Sequence, residues 1–452
     1  MIHKFNLNGF FIVLDVNSGG VHVVDELTYK LLDFVAEPLP EECPPEALEA
    51  LTPGYEKGEI LETYGEIYQL YRDGILFSAD DYAQFADRMV ASPIKAMCLH
   101  VAHDCNLRCK YCFASTGDFG EGRRLLDFET GKKAIDFLIE KSKGRHNLEL
   151  DFFGGEPLMN FDVVKQIVEY ARSLEKEHNK LFRFTITTNG MLLDDAKIDY
   201  INKEMSNVVL SIDGRREVND KMRPCINGKG SYDIILDKYK NLVGKRGHDQ
   251  YYARGTFTKY NLDFADDVLH LYEEGFDQLS VEPVVSDPSE DYAITEADFP
   301  RIFSEYEKLA REIIRLKKEG KAINFFHFML DLDQGPCAIK RLRGCGCGNE
   351  YVAVTPDGDI YPCHQFVGMK EWKMGNLRDG SFDFKMKDYF SQTTVYNKSD
   401  CRECWAKFYC SGGCNANNLQ YAGDVLKSHK LSCELEKKRL ECAIMIKAAL
   451  AE

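Results

Sequence analysis

The 452-residue chain has 44% apolar, 12% aromatic and 29% charged residues, a balance that excludes a disordered or fibrous protein and leaves room for two or three domains at about 150 residues each. Its formal net charge of -16 excludes broad docking on a phosphate backbone, so nucleic acid is not an expected partner. The opening MIHKFNLNGF lacks the blocks of a secretory signal, and no apolar run nears the ~18 residues of a membrane span, so a cytoplasmic protein with no membrane partner is expected.

Residues 5–16 (FNLNGFFIVLDV) and the VHVVDE after Gly19-Gly20 predict a β-hairpin, with β-branched and aromatic arms around a glycine turn. Asp25 is placed to cap a helix through Val35. Apolar residues at 60, 61, 64, 67, 68 and 71 have helical spacing, with Gly74 in the C-terminal cap position. These elements set residues 1–88 apart as a small module.

Further on, short β-rich runs alternate with helical patterns. Strands are predicted at 94–102, 148–153, 182–188, 207–212, 251–258 and 279–285, with helices such as TGKKAIDFLIEKSK and FDVVKQIVEYARSLEKE between them. This alternation predicts a parallel α/β sheet over 89–320, open or curled into a partial barrel, with ligands at the C-terminal strand ends. After Lys321 the alternation fades, and ten of the sixteen cysteines lie from 337 onward. A loop-rich third domain over 321–452, held together by metal, is expected, because clustered cysteines in a reducing compartment are ligands rather than disulfides.

The first strand leads into HDCNLRCKYCFAS, which spaces Cys105, Cys109 and Cys112 as C-x3-C-x2-C. Such a loop can wrap three thiolates around one corner of a 4Fe–4S cube and leave one iron without a protein ligand. The alternative is a zinc site completed by His100 or His103, although structural zinc usually takes paired C-x2-C units. With Tyr111 before its last cysteine, the loop resembles the signature of radical S-adenosylmethionine (SAM) enzymes. That resemblance implies that the amino and carboxylate groups of SAM chelate the open iron. It also implies one-electron cleavage of SAM to methionine and a 5′-deoxyadenosyl radical that takes hydrogen from substrate, with an external donor, flavodoxin or ferredoxin, supplying the electron.

Other strand ends share the resemblance. Gly154-Gly155-Glu156-Pro157 resembles the GGEP motif, whose glycines let the backbone approach the methionine moiety and whose carboxylate receives its ammonium. TTNG at 187–190, with Thr188 and Asn189, and SIDG at 211–214, with Ser211 and Asp213, resemble the segments that contact the SAM ribose and carboxylate. Arg223 matches the arginine that pairs with that carboxylate. Taken singly, each of these residues also fits capping, a turn or surface solvation.

In the C-terminal region CRECWAKFYCSGGC spaces Cys401, Cys404, Cys410 and Cys414 as C-x2-C-x5-C-x3-C, and Cys433 follows. Upstream stand Cys345 and, at the end of TPDGDIYPC, Cys363. The pattern resembles the SPASM domain, an accessory with two auxiliary 4Fe–4S clusters, which brings the implied total to three. The resemblance implies that Cys401, Cys404, Cys410 and Cys433 hold the second auxiliary cluster, and Cys345, Cys363 and Cys414 the first. An eighth ligand position is left for Cys347, Cys337 or a substrate thiolate, with Cys347 only two residues from Cys345. Lys340, Arg341 and Arg343 are placed either to offset a negative cluster or to form a solvated basic turn. Outside the motifs, Cys98 fits strand packing, and Cys225 fits a buried thiol or one facing substrate.

The N-terminal unit resembles the winged-helix leader-recognition element of enzymes that modify ribosomally made peptides, in which an extended leader adds a strand to a sheet edge. A stabilising subdomain is the alternative. Along the full chain the resemblance is to maturases of the cysteine-rich peptides called six-cysteines-in-forty-five. It implies a partial (β/α)6 TIM-like barrel between a winged-helix-like module and a two-cluster SPASM domain, acting on a leader-bearing cysteine-rich precursor peptide to join cysteine sulfur to carbon. The alternatives are an anaerobic sulfatase-maturase type that makes formylglycine and a non-catalytic multi-cluster electron-transfer protein, which would not need the GGEP, TTNG and SIDG segments.

Overall fold

The computed structural model describes residues 1–86, 92–332 and 338–451; Cys337 and the expected boundary at 88/89 lie outside them. At the N-terminus, Asn8 (φ 51°) and Gly9 (φ 85°) adopt the left-handed backbone of a two-residue hairpin turn. The run 5–16 is therefore not one hairpin arm but is split between β1 (Ile2–Leu7) and β2 (Phe10–Asp15). β3 (Val21–Val24) pairs antiparallel with β2, and the sheet order is β1-β2-β3. Asp25 caps α1 (Glu26–Leu31) by accepting from Thr28 N at 2.7 Å, and the helix stops short of the expected Val35. α2 (Pro45–Leu51) and α3 (Lys57–Arg72) follow, with Gly74 at φ 69° just beyond α3. Leu27, Leu31, Ile60, Tyr64 and Ile67 form one small core with Val13 of the sheet.

The large sheet holds β4 (Ala96–His103), β5 (Asn147–Gly154), β6 (Leu181–Thr188), β7 (Asn207–Ser211), β8 (Tyr251–Phe257) and β9 (Gln278–Pro283), each parallel to the next. Helices α4 (Phe128–Ser142), α5 (Phe161–His178), α6 (Asp195–Glu204), α7 (Arg216–Met222), α8 (Tyr232–Lys245) and α9 (Phe264–Glu273) connect them. After α10 (Phe299–Lys318), a two-residue β10 (Asn324–Phe325) adds beyond β9. Along β5, Leu148, Leu150 and Phe152 are fully buried while Asp151 and Phe153 are half-buried. That alternation places one row against the helices and the other on the inner face. The result is a mixed α/β fold with a parallel, barrel-like core.

The C-terminal region joins the same large sheet. β11 (Tyr351–Val354) lies parallel to β4, with Tyr351 opposite Ala96 and Val354 opposite Leu99. β12 (Asp359–Tyr361), β13 (Gly375–Asn376) and β14 (Ser381–Phe382) continue the same sheet antiparallel. The 22-residue α11 (Lys430–Ala451) packs on α10, and its Ile444, Met445 and Ala448 enter the core of the barrel. Among the described residues no helix is long and apolar enough to cross a membrane.

Candidate active site and cysteine centres

β4 delivers Cys105, Cys109 and Cys112 at its C-terminal end, and the loop is tied down on two sides. Arg108 N donates to Pro224 O (2.8 Å) and Lys110 N to Met222 O (2.9 Å). Asn189 Nδ2 donates to Asn106 Oδ1 (2.8 Å) and approaches Cys105 Sγ (3.5 Å). The three thiols lie within electrostatic reach of one another. Burial pushes the Cys105 thiol up to about 11 and that of Cys109 to about 12, so these two ionise only when a bound cation supplies the compensating charge. That is how a metal-ligand set behaves. The two histidines of the zinc alternative turn to each other: His100 Nδ1 and His103 Nε2 bond at 3.1 Å, and both ring centroids lie 4.6 Å from that of Phe119. Among the described residues, no three His, Cys, Asp or Glu side chains converge to hold a single metal ion.

The GGEP segment leaves β5 directly against this loop. A Cβ on Gly154 (φ 129°) would stand 2.2 Å from Ala102 O, and one on Gly155 2.1 Å from Asp104 O. Glycine is thus required here by packing between two backbones, before any ligand is considered. Glu156 is 1% exposed and already well supplied with donors. Its Oε1 accepts from Leu158 N (3.0 Å) and Thr188 Oγ1 (2.7 Å), and its Oε2 from Asn189 N (2.8 Å). Burial raises its carboxyl to about 7 against the lowering effect of these donors. Within the chain, Glu156 braces the end of β6 rather than standing as an open acceptor. Tyr239, which the sequence reading missed, ties the ends of β6 and β7 together by donating to Thr188 O and Ser211 O, both at 3.2 Å.

Tyr111, Asp213 and Arg223, far apart in sequence, meet beside Cys109. Asp213 is fully buried and accepts from Tyr111 OH (2.8 and 2.7 Å), Arg223 Nε (2.9 Å) and Thr256 N (3.0 Å). Arg223 spends Nε on this bond, and among the described residues no protein acceptor meets its terminal Nη groups. An oriented guanidinium with its fork free, next to the cysteine loop, fits the carboxylate end of an amino-acid ligand. Ser211 sits half-buried at the end of β7. Cys225 is half-buried, and its Sγ approaches Gly230 O at 3.6 Å.

In the C-terminal region, four thiols gather where the motif supplies three. Buried Cys347 hydrogen-bonds Cys363 and lies within reach of Cys345 and Cys414. The short spacing between Cys345 and Cys347 is accommodated by Gly344, Gly346 and Gly348 at φ 67°, 74° and 69°, which curl the chain tightly. Cys401, Cys404, Cys410 and Cys433 form the second group, beside a cavity of about 600 Å³ that they help to line. Arg341 and Arg343, placed by the sequence either to offset a cluster or on a solvated basic turn, make hydrogen bonds to residues outside the cysteine groups. Arg343 donates to Ser391 O (3.3 Å) and Ser92 Oγ (3.4 Å), and Arg341 to Tyr82 OH (3.1 Å). Lys340 is exposed.

The residues between Cys404 and Cys410 carry the N-terminal module. Trp405 stacks on His3 at 3.8 Å, Phe408 lies 5.1 Å from Tyr82, and Lys407 Nζ pairs with Asp80 at 2.9 Å. Tyr396 OH also donates to Asp80, at 2.5 Å.

Comparison with known proteins accords with this geometry. Residues 99–256 match the radical SAM superfamily, and 345–405 match the SPASM iron–sulfur cluster-binding domain. A cysteine-type anaerobic sulfatase-maturating enzyme of Clostridium novyi is 24% identical over 70% of this chain and 86% of its own. The structure of anSMEcpe with bound AdoMet and Cp18Cys peptide shares the fold at a TM-score of 0.65 and 20% identity, over 80% of this chain and 100% of that one. Streptococcus suis SuiB bound to precursor peptide SuiA does so at 0.51 and 17%, over 93% and 97%. The chain thus carries a radical SAM domain followed by a SPASM domain, which together imply 4Fe–4S clusters and SAM as its cofactors.

Proposed function

We propose that this protein is a peptide maturase that forms thioether cross-links in a ribosomally made, cysteine-rich precursor, with three 4Fe–4S clusters. The observation that carries the reading is the module at residues 1–86, whose strand β3 pairs, among the described residues, with β2 alone and so has one edge without a strand, and which rests on the Cys404–Cys410 loop. A leader can add there as a fourth strand, with main-chain hydrogen bonds for affinity and side chains such as the half-exposed Val23 for register. The likeness to anSMEcpe leaves about a fifth of this chain unmatched, whereas that to SuiB, a protein seen with a precursor peptide, covers 93% of it. This difference favours a leader-guided enzyme over the sulfatase-maturase reading.

The loaded cluster and SAM supply a one-electron cleavage and a hydrogen-abstracting radical. The chain's own residues bind and orient. Arg223, held by Asp213, which Tyr111 also braces, would offer its Nη groups to the SAM carboxylate, while Glu156, Thr188 and Asn189 fix the strand ends nearby. Cys347, among the thiols of the first C-terminal group, would be the fourth protein group available to hold a cluster there, and a peptide thiolate would compete with it for that place. Anaerobic turnover with a cysteine-rich precursor, beside the same core peptide without its leader, tests the reading. At least ten-fold faster modification of the leader-bearing peptide is expected, and equal rates would overturn leader docking.

A further inference from the structure

Lys398 is 1% exposed, and its ammonium meets two neutral acceptors, Gly412 O and Asn415 Oδ1, both at 2.7 Å. No carboxylate pairs with it among the described residues. A buried ammonium without an anionic partner costs several kcal/mol, so its place in the interior calls for a source of negative charge. Within its electrostatic reach instead are thiols of both C-terminal groups: Cys401 and Cys410 of the second, Cys345 and Cys414 of the first. Its acceptors belong to the strip that joins those groups. Gly412 lies between Cys410 and Cys414, and a Cβ there would stand 3.1 Å from Nζ; Asn415 directly follows Cys414.

We propose that Lys398 is the shared counter-cation of the two auxiliary clusters, a positioning residue that fastens the Cys410–Cys414 strip between them and raises both reduction potentials with one fixed charge. The inference rests on the reading that each of these cysteine groups holds a 4Fe–4S cluster. Thiolate-ligated clusters are anionic and become more so on reduction, so a desolvated positive charge beside them favours the reduced state. Bonded to the strip that joins the two cysteine groups, it would act on both.

The test uses the loaded full-length enzyme as wild type, Lys398→Met and Lys398→Arg. Iron content is measured, and a reductive titration followed by electron paramagnetic resonance resolves the separate clusters. In Lys398→Met both auxiliary midpoints are expected to fall while the Cys105–Cys109–Cys112 cluster stays put, and Lys398→Arg should stay close to wild type. Loss of auxiliary iron in Lys398→Met with retention in Lys398→Arg supports the same role. Unmoved potentials, a shift of only one auxiliary cluster, a shift of all three together, or equal damage in both variants would overturn it. A wild type with fewer than two auxiliary signals would overturn the underlying cluster assignment, and the proposal with it.

Discussion

Replacing Gly155 with alanine puts a methyl group where the chain has no room. The added Cβ would stand 2.1 Å from Asp104 O, 2.6 Å from Asp104 C and 3.0 Å from Gly117 O. Reaching an ordinary contact near 3.4 Å from Asp104 O requires a movement of about 1.3 Å, and every atom in the way is backbone. Two hydrogen bonds hold these segments together, Gly155 N to Ala102 O (2.7 Å) and Glu156 N to Asp104 O (2.9 Å). Overpacking of about 1–3 kcal/mol, with about 0.5–1.5 kcal/mol for each of the two hydrogen bonds stretched, gives a destabilisation of about 2–6 kcal/mol. The displaced segment carries Cys105, so the variant is also expected to lose about four iron atoms per chain, the content of one cluster. Gly144→Ala is the control, because nothing lies within 4 Å of a Cβ there. Urea unfolding and iron analysis of both variants test the argument. Gly155→Ala within about 0.5 kcal/mol of Gly144→Ala and fully loaded with iron would refute it.

Three further outcomes follow from named contacts. Tyr111→Phe removes the hydroxyl that donates to both oxygens of buried Asp213, at about 1.5–3 kcal/mol for a charge-assisted bond. SAM binding, measured by equilibrium dialysis, should weaken while iron content holds, and unchanged binding would detach Tyr111 from the site. Arg223→Lys cannot bond Asp213 and present a planar fork at the same time, so at least ten-fold weaker SAM binding with normal iron is expected. The Asp80 carboxyl is raised by burial but lowered further by Tyr396 and Lys407, leaving it below the ordinary carboxylate range. Its stabilising contribution is therefore full above the unfolded pKa near 3.9 and is lost as pH falls through the lower folded value. Asp80→Asn should unfold earlier than wild type at pH 7, and that gap should close below about pH 4; a gap that does not depend on pH would contradict the ion pair.

Much of the site is legible in the sequence because its parts are local. The spacing of Cys105, Cys109 and Cys112 fits inside one loop, and GGEP, TTNG and SIDG each terminate a strand whose β-rich run marks it. What escaped depends on long-range pairing. Nothing near Tyr351 signals that it will lie beside Ala96, so the C-terminal region reads as a separate loop-rich unit although it extends the barrel's sheet. The Asn8-Gly9 turn was present in the text, but the longer apolar run around it hid it. Lys340, Arg341 and Arg343 stand out in the sequence as a basic cluster next to Cys345, whereas Lys398, the buried lysine within electrostatic reach of Cys401, Cys410, Cys345 and Cys414, has a setting that emerges only when these come together. Glu156 resembled a ligand residue, and the fold shows that its first task is to accept from Leu158, Thr188 and Asn189.

The central claim, thioether formation, is tested most directly by the mass and chemistry of the peptide product. The loaded enzyme is given SAM, a reductant and the leader-bearing cysteine-rich peptide without oxygen. The product is then analysed by high-resolution mass spectrometry after thiol alkylation and, separately, after treatment with a hydrazide. Each turnover should remove two hydrogens and one alkylatable thiol, with no hydrazide adduct. Hydrazide capture of an aldehyde, or SAM cleavage with the peptide unchanged, would contradict the account.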